Sequence, residues 1–265
     1  MTPGVKIFDF KRTIDAAVEP TGLPSKGTRE YRKTLYFLTA NYRIAPEWSV
    51  YAQTATSLLV PPLKTLAPVG GTVANTQPQQ AVTYQMGTVY SVGEFTADID
   101  VYKIHATNVL FNATGSPCKC YRNLGVGDYY GLEAQGSYTF GYGLTAFANG
   151  SINRARDINP GDGSPATDFT NAPKGTAAAG FIYRNGPWAA TVLDKWVGQQ
   201  LGSDGVTHLG SYSSLDASVA HDFGHVRLKL AGFNLVDHRA LTDFDGAYYV
   251  FSVGREVQFT VEAKL

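Results

Sequence analysis

The chain has 265 residues and carries 22 Lys plus Arg against 22 Asp plus Glu, so no net charge draws it to nucleic acid or to an acidic partner. Only 17% of residues are charged, while 16 Tyr, 14 Phe and 28 Gly stand out, which suits long exposed strands better than a helical enzyme. No run reaches the roughly 18 apolar residues of a transmembrane helix, and the first ten residues show no apolar signal-peptide core.

Residues 1–33 are poorly patterned: Val5–Phe10 reads as one strand at most, and Glu19–Arg32 as a loop punctuated by Pro and Gly. From residue 34 to 265 the chain reads as paired arms. Thr34–Ile44 and Trp48–Val60 join at Ala45-Pro46-Glu47; Gln80–Ser91 and Phe95–Ala106 join around Gly93. The clearest pair follows. Tyr130, Leu132, Ala134, Tyr138 and Phe140 alternate with Glu133, Gln135, Ser137 and Thr139, one apolar face backed by a polar one. Gly141-Tyr142-Gly143 is then a tight turn whose glycines supply positive φ, and Leu144–Asn153 is its second arm. Lys174–Tyr183 and Trp188–Gly198 flank Asn185-Gly186, a strong hairpin signal. Ser211–His221 and Val226–Leu235 flank Gly224, and Ala247–Val253 and Val257–Leu265 flank Arg255.

Six tight turns therefore alternate with long loops, among them Pro61–Gln79, Thr107–Asp128 and Arg154–Pro173. Short turns at one end and long loops at the other are the habit of a membrane barrel, where about ten tilted residues cross an apolar band roughly 25 Å tall. Aromatics such as Trp48, Tyr90, Phe95, Tyr138 and Trp188 fall near the tight turns, where a girdle is expected. The fold expected is all-β: an antiparallel meander of about twelve long strands forming a partial, open transmembrane β-barrel.

The chemistry-bearing residues reduce to bland readings. Asp222-Phe223-Gly224 is a turn without the other parts of a kinase, and the histidines show no i, i+4 pair for zinc. His221 and His225 flank one turn and are expected solvated there. Gly141-Tyr142-Gly143 lacks the third glycine and the helix of a dinucleotide site, so no cofactor is expected. Cys118 and Cys120 are either two loop thiols or an oxidised extracytoplasmic pair. Asp98, Asp100 and Glu133 share the polar parity and are expected on an inner wall, facing water or an enclosed domain, with no catalytic constellation among them.

Gly131-Leu132-Glu133, Asn171-Ala172-Pro173-Lys174, Gly186-Pro187-Trp188, Trp196-Val197-Gly198 and Asn234-Leu235-Val236-Asp237 occur in this order, and the chain closes on Phe259–Leu265. From about Leu35 onward it resembles the C-terminal half of a TonB-dependent outer-membrane receptor. The resemblance implies a share of a barrel of about 22 strands, whose plug and TonB-binding box belong to an N-terminal part not seen here, as in a truncated record. It implies location in the bacterial outer membrane, contact with its lipid, and the energy-transducing protein TonB and the barrel assembly machinery as partners. It also implies uptake of a scarce ligand, a ferric siderophore leading. Val257, Phe259, Val261 and Leu265 stand where the family keeps its assembly signal, with Leu265 in place of the usual aromatic. Tyr121, Arg122, Arg154 and Arg156 are expected in external loops, as an aromatic and cationic surface for ligand. The rival readings are a passive porin-like channel and a soluble β-sandwich binding module.

Overall fold

A computed structural model describes residues 1–18, 23–61, 77–113, 120–160 and 165–263; of residues 14–18, 23–26, 111–113 and 120–124 only the backbone is described. In chain order the strands are β1 (Thr2–Val18), β2 (Leu23–Ala45), β3 (Trp48–Leu59), β4 (Gln79–Val92), β5 (Phe95–Ala113), β6 (Cys120–Thr139), β7 (Leu144–Asn159) and β8 (Thr167–Asp168). There follow β9 (Gly175–Asn185), β10 (Trp188–Val197), β11 (Gln200–Leu201), β12 (His208–Leu209), β13 (Tyr212–Asp222), β14 (Val226–Phe233), β15 (Leu241–Phe244), β16 (Tyr249–Phe251) and β17 (Glu256–Ala263).

Twelve long strands form one antiparallel meander, β1-β2-β3-β4-β5-β6-β7-β9-β10-β13-β14-β17, with β8 beside β7. Among the described residues the sheet is open, since β1 and β17 each pair on one side only.

Residues directly opposite one another in an antiparallel pair share a face, so the register carries a face across the whole sheet. One row runs Tyr42–Val50–Thr88–Ile99–Ala134–Gly150–Ala177–Trp196, from β2 to β10. Another on the same face runs Tyr183–Ala190–Val219–Leu230–Phe259. Both rows are nearly free of polar groups. The opposite face holds Tyr51–Gly87–Asp100–Glu133–Ser151–Thr176. Met86, Phe181, Phe259 and Val261, all on the apolar face, are more than half exposed or nearly so. A sandwich would bury that face under a second layer; no second layer covers it among the described residues.

The tight turns gather at one end. Pro46-Glu47, Gly93-Glu94 and Gly186-Pro187 are two-residue turns, and Gly93 and Gly186 both have φ of +53°. In the Gly141–Gly143 turn the sequence expectation is corrected in part. Gly143 takes positive φ, but Tyr142 (φ 62°) does so in place of Gly141; its ring, 91% exposed, hangs clear of the backbone. An aromatic belt follows this end: Trp48 lies opposite Tyr90, Phe95 opposite Tyr138, and Tyr138 meets Phe140 edge-on at 4.7 Å. His221 is not simply solvated there; its ring lies 4.3 Å from both Trp188 and Phe223.

Three expected boundaries move. Residues 1–33 hold all of β1 and the first part of β2, paired from Thr2↔Thr39 to Val18↔Leu23. Most of Thr107–Asp128, expected as a loop, is strand, and among the described residues the register shifts only between Thr107 and Leu110, where Asn108 has φ of 57°. The sixth hairpin does not form. β17 pairs with β14, Leu230 opposite Phe259 and Leu228 opposite Val261, while Leu241–Phe244 and Tyr249–Phe251 pair with each other in a separate two-stranded sheet. The physical reason is face continuity. Val226, Leu228 and Leu230 find an alternating apolar partner only in β17, whereas Tyr248, Tyr249, Val250 and Phe251 are apolar without a break and cannot serve one face.

The wall is uneven. β2 has 23 residues and β6 has 20, but β14 and β17 have 8 each. About ten tilted residues cross the apolar band, so β1, β2, β5 and β6 stand well above it, while β3, β9, β10, β13, β14 and β17 barely span it.

In the membrane-inserted protein, Leu230→Arg on the apolar face should cost about 2–4 kcal/mol of folding free energy. Lys229→Ala, its neighbour on the other face, should stay within about 0.5 kcal/mol of the parent. Urea unfolding in lipid vesicles measures both, and equal effects would contradict the assignment of faces.

Candidate functional site

The polar face gathers its acids in the part of β5 and β6 nearest the tight turns. Asp100 lies opposite Glu133, and Asp98 opposite Gln135. Asp100, only 8% exposed, accepts a hydrogen bond from Gln85 Nε2 at 2.9 Å, and Gln85 in turn accepts from Gln53. Asp98 accepts from Gln135 Nε2 at 3.3 Å and from the Tyr51 hydroxyl at 3.5 Å. The tyrosine reaches across an intervening strand because Gly87 stands between: a Cβ there would lie 2.6 Å from the Tyr51 ring. Tyr102 crosses Gly131 in the same way to donate to Asn153 Oδ1 at 2.9 Å. A concavity of about 270 Å³ is lined by Asp98, Asp100, Glu133, Gln135, Asn149 and Ser151. None of its three carboxylates pairs with a cation among the described residues. Farther along this face two charge pairs form, Lys195 Nζ lying 2.6 Å from Asp216 and Arg227 3.8 Å from Glu262.

Above the low part of the wall, three connections lock into one crown. Thr170 bridges to Leu201, and Asn171 N–H donates to the Leu201 carbonyl at 2.8 Å. Asp243 accepts from Ser203 N–H (2.9 Å) and Ser203 Oγ (2.8 Å), and Gln200 Nε2 donates to the Thr242 carbonyl at 2.8 Å. Asn234, buried and at φ 47°, staples the last connection: its Nδ2 donates to the carbonyls of His238 and Val253, while its Oδ1 accepts from His238 N–H. Asp237 accepts from Arg255 N–H at 2.8 Å. Tyr248, Tyr249 and Phe251 stand exposed on this crown, with Tyr249 stacked on Phe244 at 4.5 Å.

Hydrogen bonds to their charged forms hold four crown carboxyls below the usual carboxylate range. The leading donor is the Thr207 hydroxyl for Asp204, Arg255 N–H for Asp237, Ser203 N–H for Asp243 and Tyr248 N–H for Asp245.

The residues singled out for ligand are dispersed. Tyr121 and Arg122 lie on the backbone of β6 opposite Asn112 and Phe111, and their side chains fall outside the described residues. Arg154 and Arg156 lie on β7, opposite Tyr130 and Asp128, on the apolar-face parity and not in a loop. Val257, Phe259 and Val261 share the apolar face of β17; Leu265 lies outside the described residues, as does Cys118. The crown residues Asp204 and Asp243 escaped the sequence reading, although Ser203-Asp204-Gly205 and Asp243-Phe244-Asp245-Gly246 carry turn chemistry that could have marked them; Asn234 enters it only as part of the Asn234–Asp237 resemblance.

A two-faced antiparallel sheet with tight turns at one end, a polar inner wall and a loop crown at the other is the wall of a transmembrane β-barrel. Residues 1–235 match the family model described as TonB dependent receptor-like, beta-barrel, and the chain belongs to that family, whose barrels lie in the outer membrane of Gram-negative bacteria. The match begins at residue 1 and so takes in the stretch that looked poorly patterned. Among solved structures, 98% of the chain overlays 40% of the siderophore receptor PiuA from Acinetobacter baumannii, at 18% identity and a TM-score of 0.77. The corresponding figures are 98%, 42%, 19% and 0.75 for the ferric yersiniabactin uptake receptor FyuA from Yersinia pestis, and 98%, 44%, 15% and 0.79 for the copper transporter OprC. These likenesses bear on fold. The chain spans about two fifths of the length of the structures it matches.

Because the four carboxyls have lowered pKa values, their contribution to crown order is complete above the ordinary carboxylate value of about 4 and is lost as pH falls through the lowered values. Protease cutting within 198–211 and 234–255 should therefore be slow at pH 7 and rise sharply in acid; unchanged protection under acid conditions would contradict this. Asn234→Ala removes three hydrogen bonds at once and should destabilise the crown by about 2–4 kcal/mol, read as faster cutting of 234–255 with the barrel's heat-modifiable mobility retained.

Proposed function

We propose that this chain supplies twelve strands of the barrel of a receptor that takes up a scarce ligand across the outer membrane, driven through TonB. The observation that carries the reading is the division of the sheet into an apolar face for lipid and a polar wall with uncompensated Asp98, Asp100 and Glu133. Such a wall suits the lumen of a barrel that encloses a hydrogen-bonding domain, and the TonB contact would belong to that domain. Import then works by differential binding: ligand held at the crown shifts the enclosed domain toward the state that engages TonB. A ferric siderophore is the ligand we favour, because Tyr248, Tyr249 and Phe251 offer exposed aromatic surface at the crown, next to polar groups already fixed by hydrogen bonds. Tyr121 and Arg122, near the far end of the tall β5–β6 hairpin, remain candidates for a second contact. The exposed apolar row Val257, Phe259 and Val261 on the last strand fits recognition by the barrel assembly machinery.

A passive channel is the second reading, and energy dependence separates the two. In iron-starved cells carrying the receptor that contains this chain, uptake of radiolabelled ferric siderophores should require TonB and saturate with ligand. Uptake that persists without TonB and rises linearly with concentration would support the channel. Tyr249→Ala with Phe251→Ala should weaken binding roughly tenfold, from the worth of one or two aromatic contacts, while leaving surface expression unchanged.

A further inference from the structure

The apolar face changes character near the loop end. Counted from the tight turns, the first four positions of this parity on β5 (Phe95, Ala97, Ile99, Val101) and the first five on β7 (Leu144, Ala146, Ala148, Gly150, Ile152) carry no polar side chain; then Lys103, His105, Arg154 and Arg156 appear. Arg154 is ten residues past Leu144, roughly 25 Å up a tilted strand, which is the top of the apolar band. Asp128 takes His105 at 2.6 Å and Lys103 at 3.8 Å, and Asp168 takes Lys174 at 3.6 Å. Arg154 and Arg156 make no ion pair among the described residues, and Arg156 Nε is buried without a hydrogen-bond partner.

Beside them β9 begins only at Gly175 and β8 meets β7 only at Arg156 and Asp157, so the sheet has a notch between the two, next to Arg154. The β11–β12 hairpin overhangs it. The resulting crevice, of about 880 Å³, has Tyr130, Leu132 and Ile152 on its floor, Leu201 and Val206 on its overhang, and Arg154 with the Lys174–Asp168 pair at its edge; Arg156 lies just beyond the lining, opposite Asp168 in the ladder. Tyr130, Leu132 and Ile152 belong to the apolar face itself, so the floor of the crevice runs without a step into the surface offered to acyl chains. Cationic groups above and an apolar floor below match one kind of molecule, an amphiphile with a phosphate headgroup. A soluble anion would leave the floor wet. Guanidinium–phosphate pairs are short, bidentate and charge-assisted, and cations at the membrane surface each add to the attraction for anionic lipid.

We propose that this notch is a binding site for a phosphorylated lipid of the outer leaflet, with Arg154 and Arg156 holding the phosphate and Tyr130, Leu132 and Ile152 the upper acyl chain. The proposal rests on the outward assignment of the apolar face but is independent of what the receptor imports.

The test uses the whole receptor that contains this chain, purified in a neutral detergent, with native mass spectrometry counting bound lipid. The probes are phosphatidic acid, diacylglycerol of the same chains, and inorganic phosphate. One phosphatidic acid should be retained, diacylglycerol should not be, and inorganic phosphate should compete only weakly. Arg154→Ala with Arg156→Ala should weaken retention roughly tenfold or more, and Arg154→Lys with Arg156→Lys should restore most of it. Lys229→Ala, on the opposite face, should change nothing. If the alanine pair fails to give a heat-modifiable barrel, the comparison of the three probes on the parent receptor decides alone. Equal retention of phosphatidic acid and diacylglycerol, or by the parent and a folded alanine pair, would overturn the proposal. Full displacement by inorganic phosphate would reduce the site to one for a soluble anion. Ligand uptake by the alanine pair reads the import function separately.

Discussion

Backbone N–H and C=O groups cannot be left unpaired in hydrocarbon, and this requirement governs the molecule more than any side chain does. In this sheet each of the twelve long strands pairs with the long strand before it and the one after it, the short strands of the connections standing aside, so pairing follows chain order. Register then decides the rest. A slip of one residue between any two strands would turn every later side chain to the other face. The tight turns at Pro46-Glu47, Gly93-Glu94, Gly141–Gly143, Gly186-Pro187 and Asp222–His225 each limit that slip. A row interrupted only by Thr88 can therefore keep to the apolar face from Tyr42 on β2 to Trp196 on β10.

The same requirement explains the uneven wall. Strands that rise above the membrane are free to continue because water is an acceptable neighbour for both faces, as β1, β2, β5 and β6 do. Where the wall is low, the connections must satisfy their own backbone groups, and they do so by pairing with one another. Asn234 and Asp243 act as the cross-links, each making several hydrogen bonds from one short side chain. The crown is thus held by polar geometry rather than by a core, whereas the wall below it is held by the ladder.

The legibility of the sequence follows from this physics. Alternation is visible where one face meets an apolar medium and the other a polar one, and there the strand positions, the tight turns and the face of Tyr130 and Leu132 could all be read. Above the membrane the period disappears while the strand goes on. That is why Thr107–Asp128 and Arg154–Asn159 looked like loops, and why Arg154 and Arg156 were assigned to the ligand surface. The run Tyr248-Tyr249-Val250-Phe251 failed in the opposite sense: high strand propensity without alternation belongs to a local hairpin, not to a wall with two faces. Asp98, Asp100 and Glu133 shared a visible parity, but the bridging of Gly87 by Tyr51, which fixes their surroundings, depends on a cross-strand register that sequence spacing alone does not supply.

The central claim is that two parities of one sheet meet two different media. It is tested most directly by placing single spin labels at Leu132, Glu133, Ala134 and Gln135 in the membrane-inserted receptor, with Cys118 and Cys120 replaced. Collision with oxygen, which concentrates in lipid, should be high at Leu132 and Ala134, and collision with a water-soluble nickel chelate high at Glu133 and Gln135. The same accessibility at all four positions, or the reverse alternation, would contradict the account.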